Sequence, residues 1–176
     1  MKRYFRWLIA GIATAASLAG TTSPAAAESH ADPVYYRFQL ANSNQHMSTL
    51  KLPDDGFDDV GLRSTFITNR NWSFRAARTS ATGEVQYQLV AWPYPGLPPN
   101  RCLDVDRPIS VGAGLREADC DPRDVGQLWY FSGNRIVHAD SQLVVGARNG
   151  VVLDFSRLEL QTAVGAPYQT FHMLPA

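Results

Sequence analysis

The chain has 176 residues, 45% of them apolar, with 16 basic side chains balanced by 16 acidic ones. That length suits one domain able to bury a real core. A nucleic-acid binder is expected to carry a net basic surface, and this composition supplies none.

The first segment reads as a targeting sequence. Lys2, Arg3 and Arg6 precede an apolar stretch from Trp7 to Gly20, and small residues stand at Ala25 and Ala27. This is the pattern of a secretory signal peptide cleaved after Ala27, spanning 1–27. The apolar run falls short of the roughly 20 residues a bilayer-spanning helix needs, so the chain is not expected to span a membrane. Thr21 follows Leu18-Ala19-Gly20 where a lipoprotein signal would need cysteine. Cleavage removes Lys2, Arg3 and Arg6 and leaves 13 basic against 16 acidic side chains, a net charge of −3. The expected product is a secreted, mildly acidic protein, with a short leader over 28–34 and a single domain over 35–176.

Along that domain the apolar period is two, the period of strands. Tyr36, Phe38 and Leu40 alternate with Arg37 and Gln39. Val85, Tyr87 and Leu89 alternate with Gln86 and Gln88, and Leu158 and Leu160 with Arg157, Glu159 and Gln161. Turn signals separate these runs: Asp55-Gly56, Pro95-Gly96, Gly112-Ala113-Gly114, Ser132-Gly133-Asn134 and Asn149-Gly150. The expected class is all-β. Strand openers at Tyr36–Leu40, Val85–Leu89 and Arg135–Val137 are each followed by an aromatic closer, Trp72-Ser73-Phe74, Trp129-Tyr130-Phe131 and Phe171-His172-Met173. Openers and closers recurring in order imply three pseudo-repeats over about 35–84, 85–131 and 132–174. The acidic run Asp54–Asp59 reads as an extra solvated loop in the first repeat. Its spacing does not fit a calcium loop, and no metal site is expected.

Cys102 and Cys120 both lie beyond the signal, in a chain bound for a compartment where disulfides form. A bridge between them is the natural inference. The other reading is two buried thiols; two cysteines without nearby histidines make a poor zinc site.

The run Arg101-Cys102-Leu103-Asp104-Val105, followed by Cys120 and Gln127-Leu128-Trp129, resembles one subdomain of a ricin B-type lectin domain. That family is a β-trefoil of three such units. The resemblance implies that Trp72, Trp129 and Phe171 are the core aromatics of the three Gln-x-Trp strands. Gln127 and Gln169 match the glutamine, and Arg70 stands there in the first unit. It also implies a sugar site in each unit: an aspartate on the Cys-x-Asp strand, a stacking ring two residues before the second cysteine and an Asn before Gln-x-Trp. Unit two keeps Asp104 and Gln127 as carbohydrate-binding candidates but has Ala118 and Gly126 at the ring and Asn positions. Unit three reads Leu143 for the cysteine and Val145 for the aspartate, and unit one reads His46-Met47-Ser48. Asp104 therefore has two readings, a ligand for sugar hydroxyls or a bond to nearby backbone. Asn69-Arg70-Asn71-Trp72, the size and the cysteine-closed second unit are also similar to the receptor-binding subunits of cytolethal distending toxins.

The loop Ala91 to Pro99 concentrates Trp92 and Tyr94 among four prolines. It is either a rigid aromatic grip for a glycan or protein, or a Trp92 folded back on the domain. His138, Asp140 and Ser141 are triad residue types too close in sequence for triad geometry. No Gly-x-Ser-x-Gly, His-Glu-x-x-His or phosphate loop occurs. The expectation is a non-catalytic, cofactor-free binding protein for a cell-surface glycan or glycoprotein, sharpened by the resemblance to a toxin subunit with partner subunits. The alternative is a protein-binding trefoil such as a hydrolase inhibitor.

Overall fold

The computed structural model describes residues 33–51, 58–64, 71–93 and 99–176. They contain twelve strands and no α-helix: β1 Tyr35–Leu40, β2 His46–Lys51, β3 Asp58–Arg63, β4 Asn71–Thr79, β5 Val85–Ala91, β6 Arg101–Val105, β7 Leu115–Asp119, β8 Trp129–Ser132, β9 Arg135–His138, β10 Val144–Ala147, β11 Leu158–Gln161 and β12 Phe171–Pro175. β2–β3, β6–β7 and β10–β11 are antiparallel hairpins. The remaining strands run side by side in the order β9-β8-β5-β4-β1-β12.

Three sets of equivalent hydrogen bonds express the repeat. The first and second strands of successive units meet at Gln39 and His46, Val90 and Cys102, and Val137 and Val144. First and last strands meet at Tyr36 and Trp72, at Tyr87 and Trp129, and at Asn134, whose carbonyl accepts from the Phe171 N–H. Beside the ladders β4–β5, β8–β9 and β12–β1 that join each unit to the next, one backbone bond of 2.8 Å recurs: Trp92 N–H to Asn71, Ala139 N–H to Leu128, and Ala41 N–H to Thr170. Positions 41, 92 and 139 thus coincide, as do 72, 129 and 171.

The core follows. Trp72, Trp129 and Phe171 are buried in one core cluster with Phe38, Leu40, Met47, Leu62, Leu89, Leu103, Leu115, Ile136, Val145, Leu158 and Leu160. Two residues further along the closing strands, Phe74 and Phe131 form the next layer, packing on each other and on Phe38 with ring centroids 5.2 to 6.0 Å apart. Large rings supply the burial that a helix face supplies elsewhere. Met173 holds the third position of that layer and is half exposed. Beside it a small apolar cavity of about 100 Å³ opens between Phe38, Phe131, Ile136 and Phe171.

Two expectations change. Gln86 and Gln88 on β5 are buried rather than solvent-facing, because Gln88 hydrogen-bonds Gln127 inside the protein and Gln86 accepts from Arg78 Nε. Asp58 and Asp59, read as loop, belong to β3; Asp59 is buried against Arg157 at 2.6 Å, an ion pair that lets a carboxylate sit in a strand. Residues 54–57 lie outside the described residues.

Cys102 on β6 is bonded to Cys120 just past β7, with Cα atoms 5.0 Å apart. Replacing both by serine should lower unfolding stability by about 3 kcal/mol, the chain-entropy value for a loop of this size. Urea melts of the double variant beside the parent check it.

Candidate functional site

The strand registers decide which residues occupy the three equivalent sites. Since Gln39, Val90 and Val137 pair with His46, Cys102 and Val144, these last three coincide. Two positions further on, Ser48, Asp104 and Gly146 coincide, each opposite the third strand at Gly61, Arg116 and Glu159. The unit-three assignment therefore shifts by one residue. Val144, not Leu143, replaces the cysteine, and Gly146, not Val145, replaces the aspartate; Val145 instead points into the core with Leu103 and Met47. At Gly146 the Gln161 side chain takes the place of one, its Oε1 lying 2.3 Å from where a Cβ would stand. Asp104 is the one carboxylate at the three positions.

Asp104 is 1% exposed. Its Oδ1 accepts from the Val105 N–H at 2.8 Å and its Oδ2 from the Arg116 guanidinium at 3.2 Å. Arg116 also reaches Asp106 at 3.6 Å. Burial first, then the nearby Asp124 carboxylate, push the Asp104 carboxyl above its ordinary value, against the pull of Val105 and Arg116. Gly126 closes the other side: a Cβ there would meet Asp104 Oδ1 at 2.5 Å, Arg107 at 3.1 Å and Asp124 at 3.3 Å. Arg107 in turn pairs with Asp124. Where the family resemblance implies a ring and an amide around a free carboxylate, this chain has Arg116 bonded to Asp104 on one side and the Arg107–Asp124 pair beside Gly126 on the other. Sequence reasoning missed these three, because which arginine lies opposite Asp104 depends on hairpin register.

Gln127 works inward. Its Nε2 donates to the Asp119 carbonyl at 2.8 Å, and its Oε1 accepts from Asp121 N–H and Gln88 Nε2, both at 2.9 Å. Gln169 repeats the pattern on Thr162 and Val164. Each glutamine sits in a 3-10 turn, Val125–Gln127 or Pro167–Gln169, and ties down the loop before its closing strand. The indoles behave alike: Trp72 Nε1 donates to the Met47 carbonyl at 3.4 Å and Trp129 Nε1 to Leu103 at 3.1 Å. Phe171 has no such donor. Arg70 lies outside the described residues.

Trp92 is 38% exposed and packs edge-on against Tyr35 with centroids 4.2 Å apart. Tyr94 lies outside the described residues. His138 is buried between the Val125 carbonyl, 2.9 Å from Nε2, and Ser141, whose hydroxyl and N–H approach Nδ1 at 2.9 and 3.2 Å. A carbonyl only accepts, so Nε2 carries the proton and Nδ1 is the acceptor. Asp140 pairs with Arg78 instead of joining them. Burial holds the His138 imidazole below its ordinary value of 6.5.

The registers, the capping hairpins and the three indole-level aromatics define a β-trefoil. Solved structures agree at the level of the fold. The chain is similar to the designed three-fold symmetric protein ThreeFoil, with a TM-score of 0.65 at 17% identity over 81% of this chain and 99% of that one. It is similar to the C-half of the earthworm R-type lectin, in complex with GalNAc, at TM-score 0.55 and 12% identity over 82% and 100%. A chain of the Haemophilus ducreyi cytolethal distending toxin matches at TM-score 0.58 and 15% identity over 80% and 83%. No family model matches the sequence, and no curated protein does.

Two outcomes follow from the geometry. Gly126→Ala should destabilise by about 1–3 kcal/mol through the overlap with Asp104. Adding Asp104→Ala should return part of that loss, and chemical denaturation of the single and double variants measures the coupling. His138 stays neutral in the fold while the unfolded chain takes up a proton near 6.5. Its contribution is therefore present above that pH and is lost as pH falls through the lower folded value. Melting temperatures between about pH 7.5 and 5 should fall less steeply for His138→Gln than for the parent.

Proposed function

We propose that this chain is a secreted, non-catalytic β-trefoil that binds glycans or glycoproteins at a surface. What carries the reading is a fold whose solved counterparts include a lectin with GalNAc bound, joined to a unit two that keeps Cys102, Asp104, Cys120, Gln127 and Trp129. The signal-like segment 1–27 supports export, and the formed disulfide suits an oxidising compartment.

A cell-binding subunit of a toxin is the sharper version. It is supported by the likeness to a chain of the Haemophilus ducreyi toxin and by the Asn69-Arg70-Asn71-Trp72 segment. In that version other subunits accompany the chain, and co-purification from its native source reveals them.

The direct test is a glycan array probed with the purified protein, printed with GalNAc, methyl α-galactoside, N-acetyllactosamine and a broad panel of animal and bacterial glycans. The expected outcome is selective retention on one glycan class, at least about tenfold over unmodified slide, a difference of about 1.4 kcal/mol. Uniform background across the array rejects the reading.

A further inference from the structure

The three equivalent positions that hold sugar in the resembled family offer little here. Ser48 and Gly146 carry no carboxylate, and both oxygens of Asp104 are engaged within the fold. The molecule presents a different aromatic surface. In the loop 148–157 between β10 and β11, Val152 packs inward on the core while Val151, Leu153 and Phe155 stand out, 46%, 64% and 52% exposed. Phe155 has φ +65°, a conformation in which a bulky side chain is strained and which persists only where neighbours enforce it. The enforcing contacts are visible. Phe155 N–H donates to the Leu62 carbonyl and Leu62 N–H to that of Ser156, both at 2.8 Å. The Arg63 guanidinium lies 4.0 Å from the ring centroid. Asp154 Oδ1 accepts from Ser64 N–H at 2.9 Å and sits 3.5 Å from Arg63 Nε.

The geometry points to Phe155, with Asp154 and Arg63, as a saccharide-binding platform at the junction of units three and one, apart from the three Asp104-type positions. This deepens the glycan-binding reading and rests on it. A sugar ring has one apolar C–H face and a rim of hydroxyls; a fixed aromatic ring covers the first, while an adjacent carboxylate accepts from hydroxyls and a guanidinium donates to them. All three groups stand here within one loop and the strand it crosses. The other occupants fit less well. Arg63, Arg148 and Arg157 are each paired with a carboxylate, Asp154, Glu159 and Asp59, so the patch lacks the basic surplus that draws a protein onto anionic lipid. Three exposed side chains fall well short of the roughly 800 Å² per partner of a stable protein interface. They match one or two sugar rings.

Residue 155 does not coincide with the stacking position of the resembled family. Ala118 pairs with Cys102, Arg63 with His46 and Gln161 with Val144, so the equivalents of Ala118 are Arg63 and Gln161. Arg63, at the unit-one stacking position, buttresses a ring supplied by the β10–β11 loop of unit three.

The test uses the full chain on the same array, with Phe155→Asn, Phe155→Trp and Asp104→Ala. Asparagine tolerates positive φ, so Phe155→Asn removes the ring without disturbing the backbone, and an unchanged melting temperature verifies that. The expected result is a loss of at least about tenfold in binding for Phe155→Asn on every glycan the parent retains, with Phe155→Trp binding like the parent. Full binding by Phe155→Asn overturns the platform. If that happens while Asp104→Ala loses binding, the glycan reading stands and only the location fails; a parent that binds nothing on the array overturns both. Flotation of the parent with phosphatidylserine vesicles, abolished by Phe155→Asn while glycan binding persists, also overturns it in favour of a lipid surface.

Discussion

A buried indole N–H must have an acceptor, and that requirement organises this fold. Trp72 and Trp129 are completely buried, and each spends its one donor on a carbonyl of the second strand in its own unit. The bond ties a barrel strand to a capping hairpin, so the same residue that fills the core also sets the height at which the cap sits. An unsatisfied indole at that depth would cost about 1–3 kcal/mol, which keeps hairpin and barrel in one register. The buried glutamines act one step outward, holding each closing loop by its backbone.

Much of the architecture was legible because the relevant signals are local. Period-two runs, turn residues, and the order of openers and aromatic closers follow from strand geometry alone. The Cys102, Gln127 and Trp129 spacing pointed to the trefoil. Positions within unit three were harder: Leu143-Val144-Val145 is an unbroken apolar run in which period two leaves no mark, and a one-residue slip exchanges the core face for the outer face. Only the pairing of Val137 with Val144 fixes it. Gln86 and Gln88 misled for a related reason, since polar side chains look solvent-bound until their buried partners are seen.

The site was less legible than the fold. Arg116 reaches Asp104 across a hairpin, Arg107 and Asp124 converge on Gly126 from different turns, and none of these approaches is written in sequence spacing. Phe155 carried no sequence signal either. Its exposure depends on one left-handed residue and on an arginine some ninety positions away, which only tertiary contact brings together.

The junction between β9 and β12 differs from its two counterparts. Its counterparts are paired strands, whereas here Phe171 N–H to the Asn134 carbonyl is the bond that joins the two, and the cavity beside Met173 lies along the same line. β12 is held instead by its five-residue ladder with β1. Separation along that line would bare Phe38, Phe131 and Phe171, which line the cavity, and would leave the Cys102–Cys120 bond of unit two untouched.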